Sequence, residues 1–118
     1  MLRRILIIDD DKELCAELSE ILKEEGFAVD YAFEPEQGNH LLQGNTYDIL
    51  LLDFKMPQVN GIDLLKQIKV KARSLKIFLI SGSLHLAKLL EEDNLSSFVS
   101  GIFNKPFDID MLLRELRR

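Results

Sequence analysis

Five polar residues in this chain stand where a run of apolar residues stops. Asp9 and Asp10 follow Ile5-Leu6-Ile7-Ile8, Asp53 follows Ile49-Leu50-Leu51-Leu52, Ser81 follows Ile77-Phe78-Leu79-Ile80, and Lys105 follows a short run around Ile102-Phe103. If they meet, three carboxylates share a small space. Two like charges about 4 Å apart repel by roughly 4 kcal/mol at an effective dielectric near 20. Such a cluster needs a cation, or some of its members must take up protons. Oxygen ligands alone select a hard ion, and Mg²⁺ suits a site with few carboxylates and several waters. Lys105 adds a fixed positive charge and Ser81 a hydroxyl. A carboxylate nucleophile, a metal, an ammonium and a hydroxyl donor are the parts that phosphoryl transfer requires.

The elements that would bring these residues together alternate along the chain. The apolar runs at Ile5–Ile8, Ile49–Leu52 and Ile77–Ile80 read as strands covered by helices on both faces, because they do not alternate with polar residues. Phe27 to Ala32 reads as a weaker strand at an edge, and a fifth short strand surrounds Ile102-Phe103. Between them, Leu14, Leu18, Ile21 and Leu22 recur at helical spacing, with Gly26 as the C′ residue that ends the helix. Pro35 to Gln43 predicts a short helix with a weak signal, since Gly38 sits inside it. A loop through Met56-Pro57 and Asn60-Gly61 leads into a third helix with Ile62, Leu65 and Ile68 on one side. Leu86, Leu89 and Leu90 mark a fourth helix, and Ile109, Leu112, Leu113 and Leu116 a fifth.

Strands separated by helices imply right-handed βαβ crossovers and a parallel sheet. The expectation is an α/β fold: a doubly wound five-stranded parallel sheet with helices on both faces. The carboxyl ends of all its strands lie on one edge, where open α/β sheets bind ligands. Convergence of Asp9, Asp10, Asp53, Ser81 and Lys105 therefore follows from topology.

Composition narrows the function classes. At 118 residues the chain fits one domain, residues 1–118. Its net charge is −5 and it shows no basic stripe, which argues against direct nucleic-acid binding. No apolar run approaches the ~20 residues of a membrane span, and Met1-Leu2-Arg3-Arg4 is followed by no cleavable signal pattern. Cys15 stands alone, so no internal disulfide forms, in keeping with a reducing cytoplasm.

Taken in order, Ile-Leu-Ile-Ile-Asp-Asp-Asp at 5–11, Asp-Ile-Leu-Leu-Leu-Asp-Phe-Lys-Met-Pro at 48–57 with Gly61, Ile-Ser-Gly at 80–82 and Phe-Asn-Lys-Pro-Phe at 103–107 resemble the response-regulator receiver family over essentially the whole chain. The resemblance implies strand order 2-1-3-4-5, the flavodoxin-like arrangement. It implies Asp53 as acceptor of a phosphoryl group from a sensor histidine kinase or a His-phosphotransfer protein. Asp10 would hold Mg²⁺ directly, Asp9 through water, and the Lys55 backbone carbonyl would complete the protein ligands. Ser81 would donate to the phosphoryl group and Lys105 would pair with it, from a cis Lys105-Pro106 bond. Such a domain catalyses only its own phosphorylation and dephosphorylation. It would switch an output domain or a homodimer through the fourth helix, fifth strand and fifth helix.

Three positions depart from the family. Ser81 stands where Thr is common, Ile102 where an aromatic residue is common, and Leu95-Ser96-Ser97-Phe98 where a small-residue turn is usual. Phe103, next to Ile102, points to the opposite face of its strand. Plainer readings stand beside these: the aspartate run caps a helix, Asp53 ends a strand, and Lys105 is a solvated lysine. Cys15 reads as a buried thiol, and His40 and His85 as surface residues. Leu84 and Leu95 fall off the main face of the fourth helix, as end contacts or as part of a partner surface. A haloacid-dehalogenase-type phosphohydrolase would want an acid two residues after the nucleophile, where Lys55 stands. A flavin carrier would want a hydroxyl- and glycine-rich loop where three aspartates stand.

Overall fold

A computed structural model describes residues 2–54, 61–71, 74–81, 86–92 and 94–118. The elements run β1 (Arg4–Ile8), α1 (Lys12–Glu24), β2 (Ala28–Ala32), α2 (Pro35–Gly44), β3 (Ile49–Asp53), α3 (Gly61–Lys71), β4 (Lys76–Ser81), α4 (Leu86–Glu92), β5 (Gly101–Asn104) and α5 (Ile109–Leu116), with a 3₁₀ turn at Ser96–Phe98. The strands form one parallel sheet in the order β2-β1-β3-β4-β5.

Alternate residues of the central strands feed two helical layers. Leu6, Ile8, Leu50, Leu52, Ile77 and Leu79 pack with Leu64, Leu65, Ile68, Leu86 and Leu90 of α3 and α4. Ile5, Ile7, Ile49, Leu51, Phe78 and Ile80 pack with Leu18 and Leu22 of α1 and Leu112, Leu113 and Leu116 of α5. Each such side chain contributes roughly 1.5–3 kcal/mol when fully buried. That gain holds three adjacent strands rigid beneath the acidic residues at their ends. Register then decides the site: Ile8 pairs with Leu52 and Leu52 with Leu79, so Asp9 stands level with Asp53 one step further on.

Two boundaries differ from the sequence reading. β2 begins at Ala28 because the Phe27 N–H is used to close α1: it donates to the Leu22 carbonyl at 3.0 Å, and the Gly26 N–H to Lys23 at 3.1 Å. Gly26, at φ +95°, makes this a Schellman cap, as expected of a C′ glycine. α2 runs through to Gly44, and Gly38 supports that helix. A Cβ there would fall 2.7 Å from Ile8 Cγ1, so glycine lets α2 lie directly on β1. Leu95 is an end contact, 1% exposed. Asn94 turns left-handed at φ 58°, and the Leu95 N–H bonds the Leu90 carbonyl at 2.8 Å, closing α4 where a small-residue turn was missing. Leu84, His85, Met56-Pro57 and Asn60, with the side chains of Ile62 and Leu89, lie outside the described residues. His40 is exposed.

Candidate functional site

The aspartate run at the end of β1 divides its work. Asp11 is exposed, and its Oδ1 accepts the Leu14 N–H at 3.1 Å, capping α1. Asp9 is fully buried. Its N–H continues the ladder to β2 by donating to the Ala32 carbonyl, and its Oδ1 accepts the Asp11 N–H at 3.0 Å. Asp10 is exposed to solvent. Oxygens of Asp9, Asp10 and Asp53 all lie within 4.8 Å of one another. The capping reading of the run therefore accounts for Asp11 alone.

Lys105 enters from the far edge of the sheet. Its Nζ donates to Asp9 Oδ2 at 3.1 Å and lies 3.7 Å from Asp53 Oδ2. Its backbone N–H donates to the Ser81 carbonyl at 3.1 Å, and the Lys105-Pro106 bond is cis, as the resemblance implied. Ser81, fully buried, ends β4 beside Asn104. Asp53, Ser81 and Lys105 thus lie on neighbouring strand ends, with Asp9 and Asp10 beside them. Lys55 lies outside the described residues.

The electrostatics follow from burial. Desolvation raises the Asp9 carboxyl above the usual carboxylate range, and the Asp53 charge adds to it. The Asp11 amide and the Lys105 ammonium oppose this without cancelling it. For Lys105, desolvation alone would lower the ammonium. The bond to Asp9 and the charges of Asp53, Asp9 and Asp11 outweigh it, so the net direction is up and the group stays charged. Even with Lys105 counted, negative charge is in excess. Three carboxylates with converging oxygens, joined among the described residues by no sulfur or imidazole, fit a hard divalent cation such as Mg²⁺.

Two neighbours had no assigned role in the sequence. Cys15 is buried as expected, and its Sγ donates to the Asp9 carbonyl at 3.4 Å. Burial first, then the nearby aspartates, push its thiol up to about 12. Phe107 follows Lys105-Pro106 and packs on the aromatic side of the core.

A sheet in this order, with an acidic pocket and a lysine at its carboxyl edge, defines a receiver-type domain. Residues 5–117 match the response regulator receiver domain family, and the chain belongs to it. It is 36% identical to the transcriptional regulatory protein CpxR of Escherichia coli over 98% of this chain and 48% of that protein. It is 28% identical to the transcriptional regulatory protein TctD of Salmonella typhimurium over 97% of this chain and 50% of that protein. The chain therefore spans about half the length of these curated relatives. Among solved structures it resembles a response regulator receiver domain protein of Methanospirillum hungatei, with TM-score 0.87 and 27% identity, covering 99% of this chain and 92% of that one. It also resembles the response regulator TrrA of Thermotoga maritima in complex with Mg²⁺ and BeF, with TM-score 0.83 and 28% identity, covering 98% and 97%. Among the described residues no helix is long and apolar enough to cross a membrane.

Proposed function

We propose that this chain, as one receiver domain over residues 1–118, takes a phosphoryl group onto Asp53 from a phosphohistidine of a sensor histidine kinase or His-phosphotransfer protein. The observation that carries this reading is the meeting of Asp9, Asp10 and Asp53 oxygens within 4.8 Å, with the Lys105 ammonium 3.7 Å from Asp53. An Asp53 oxygen attacks phosphorus, the P–N bond breaks as the P–O bond forms, and the departing imidazole takes a proton from solvent. Lys105 supplies positive charge to a phosphoryl oxygen, and the Ser81 hydroxyl donates to another. Asp9, Asp10, Asp53 and the Lys55 carbonyl would hold Mg²⁺, which offsets charge on the phosphoryl oxygens when bound. The bound Mg²⁺ and BeF in the Thermotoga relative support this assignment. Beyond its own phosphorylation and hydrolysis the domain performs no turnover.

The phosphorylated state shifts an inactive–active equilibrium. Its effect passes through α4, β5 and α5 to an output domain or a second copy. The relatives' being transcriptional regulators of about twice this length supports an output domain. We place the domain in the cytoplasm, where kinases draw on ATP.

Phosphoramidate with Mg²⁺ should add one alkali-labile phosphoryl group, seen by mass spectrometry and absent from Asp53→Asn. Labelling undiminished in both Asp53→Asn and Asp53→Ala, or no labelling of the parent, contradicts the reading.

A further inference from the structure

Lys105 has a long way to reach. It follows β5 at one edge of the sheet, yet its ammonium bonds to Asp9, which follows β1 three strands away. Neighbouring strands lie about 4.8 Å apart, so the span is ~14 Å. A fully extended lysine covers only about 6 Å from Cα to Nζ at standard bond lengths. The Asp9 side chain and the 3.1 Å hydrogen bond supply most of the rest, and the start of that reach is fixed by the next rung of the β4–β5 ladder, the Lys105 N–H bond to the Ser81 carbonyl at 3.1 Å.

The link from Lys105 to α5 is short. Pro106 and Phe107 are the only residues between it and Asp108, whose Oδ1 caps α5 by accepting the Asp110 N–H at 2.8 Å. Of these two, Phe107 is the one packed against the core. Its ring lies 6.3 Å from Phe103, which lies 5.6 Å from the buried Phe78. Gly101 completes the seat: a Cβ there would press on the Phe78 ring at 3.1 Å. Rings at these separations attract one another beyond the area they bury.

We propose that Phe107 is a positioning residue for the phosphoryl-transfer site: its seat on Phe103 and Phe78 holds the loop so that Lys105 reaches Asp9 and Asp53. The consequence for rate rests on the phosphoacceptor reading, and the geometry on the Lys105–Asp9 contact. A Phe107 that merely filled the core would affect stability without regard to Lys105.

The experiment is a double-mutant cycle on the rate of labelling by phosphoramidate with Mg²⁺, using the parent, Phe107→Ala, Lys105→Ala and the double variant. Phe107→Leu tests rescue by an apolar side chain of similar reach. Phe107→Val replaces Phe107→Ala throughout if the latter does not fold. Phe107→Ala should slow labelling about tenfold, and Phe107→Leu by less than about twofold. In the Lys105→Ala background the same truncation should change the rate less than about twofold, since coupled residues are not additive. A parent-like rate for Phe107→Ala, or equal slowing in both backgrounds, overturns the proposal. A second readout needs no phosphoryl chemistry. The NMR signal of the Lys105 ammonium should shift on Asp9→Asn in the parent but not in Phe107→Ala, and equal shifts overturn the proposal. If the parent itself takes no label, the phosphoacceptor reading fails and the ammonium signal alone decides the positioning claim.

Discussion

Lys105 and Asp9 lie 96 residues apart in the chain, and their side chains meet at 3.1 Å. Asp9 is fully buried while the Lys105 side chain remains a third exposed. One partner therefore carries the cost of desolvation and the other keeps contact with water. The pairing makes a buried carboxylate tolerable, and it leaves the exposed Asp10 as the acid most open to a solvated cation.

The first expectation concerns that cation. Binding only to the folded state at ten times its dissociation constant contributes ~1.4 kcal/mol, several degrees in the melting temperature of a domain this size. Millimolar Mg²⁺ should raise the Tm by that order, and Asp10→Asn should lose most of the gain. In EDTA, Asp10→Asn should be at least as stable as the parent, because one of three neighbouring like charges is gone. A parent whose melting ignores Mg²⁺ would rule out the acid pocket as a cation site.

A second expectation lies at the other end of the sheet. Tyr47 is buried, and its hydroxyl donates to Asp30 Oδ2 at 2.6 Å, with the Arg4 guanidinium 5.0 Å over its ring. Burial first, then the bond to Asp30, raises this hydroxyl well above its ordinary value of 10.0. A raised folded value means stability that is full below the unfolded value and lost as pH climbs through the folded one. Tyr47→Phe should be about 1 kcal/mol less stable than the parent at neutral pH, from the lost hydrogen bond. The gap should narrow above about pH 10, where the parent's unfolded state gains an ionised Tyr47 that the variant lacks. Urea melts showing a constant gap from neutral to strongly alkaline pH would contradict this.

A third concerns Cys15, which has no exposed surface and a thiol pushed up to about 12. Alkylation requires the thiolate and access to it. Iodoacetamide should therefore modify the native protein about a hundredfold more slowly than the urea-unfolded chain, since only opened molecules react. Mass spectrometry over time measures both rates, and similar rates would show that the helix leaves the sulfur accessible.

Much of this architecture was legible in the chain because its strongest signals were also its simplest. Ile5–Ile8, Ile49–Leu52 and Ile77–Ile80 are apolar at every position, and each residue faces one of two helical layers. Their polar terminators then had to share an edge, whatever the loops did. The less legible parts depend on contacts between distant elements. Nothing local says that Gly38 is a site of close approach, since the reason is Ile8 thirty residues earlier. Leu95 broke the helical stripe of α4 because it belongs to the cap, and Asn94 was the unread sign of it. Phe27 looked like strand by propensity, but its amide was already committed to α1.

The contact between Gly38 and Ile8 has a consequence for how this chain can vary. The two positions draw on one volume. Any side chain gained at 38 must be surrendered at 8, and since valine would keep the Cγ1 that a Cβ at 38 meets, Gly38→Ala calls for Ile8→Ala rather than Ile8→Val beside it. Ile8 is also the residue that delivers Asp9 to the end of β1. A mutational path through α2, remote from the chemistry in sequence, therefore runs through the backbone of a pocket acid. Freedom to diversify that helix is set by what Asp9 can tolerate.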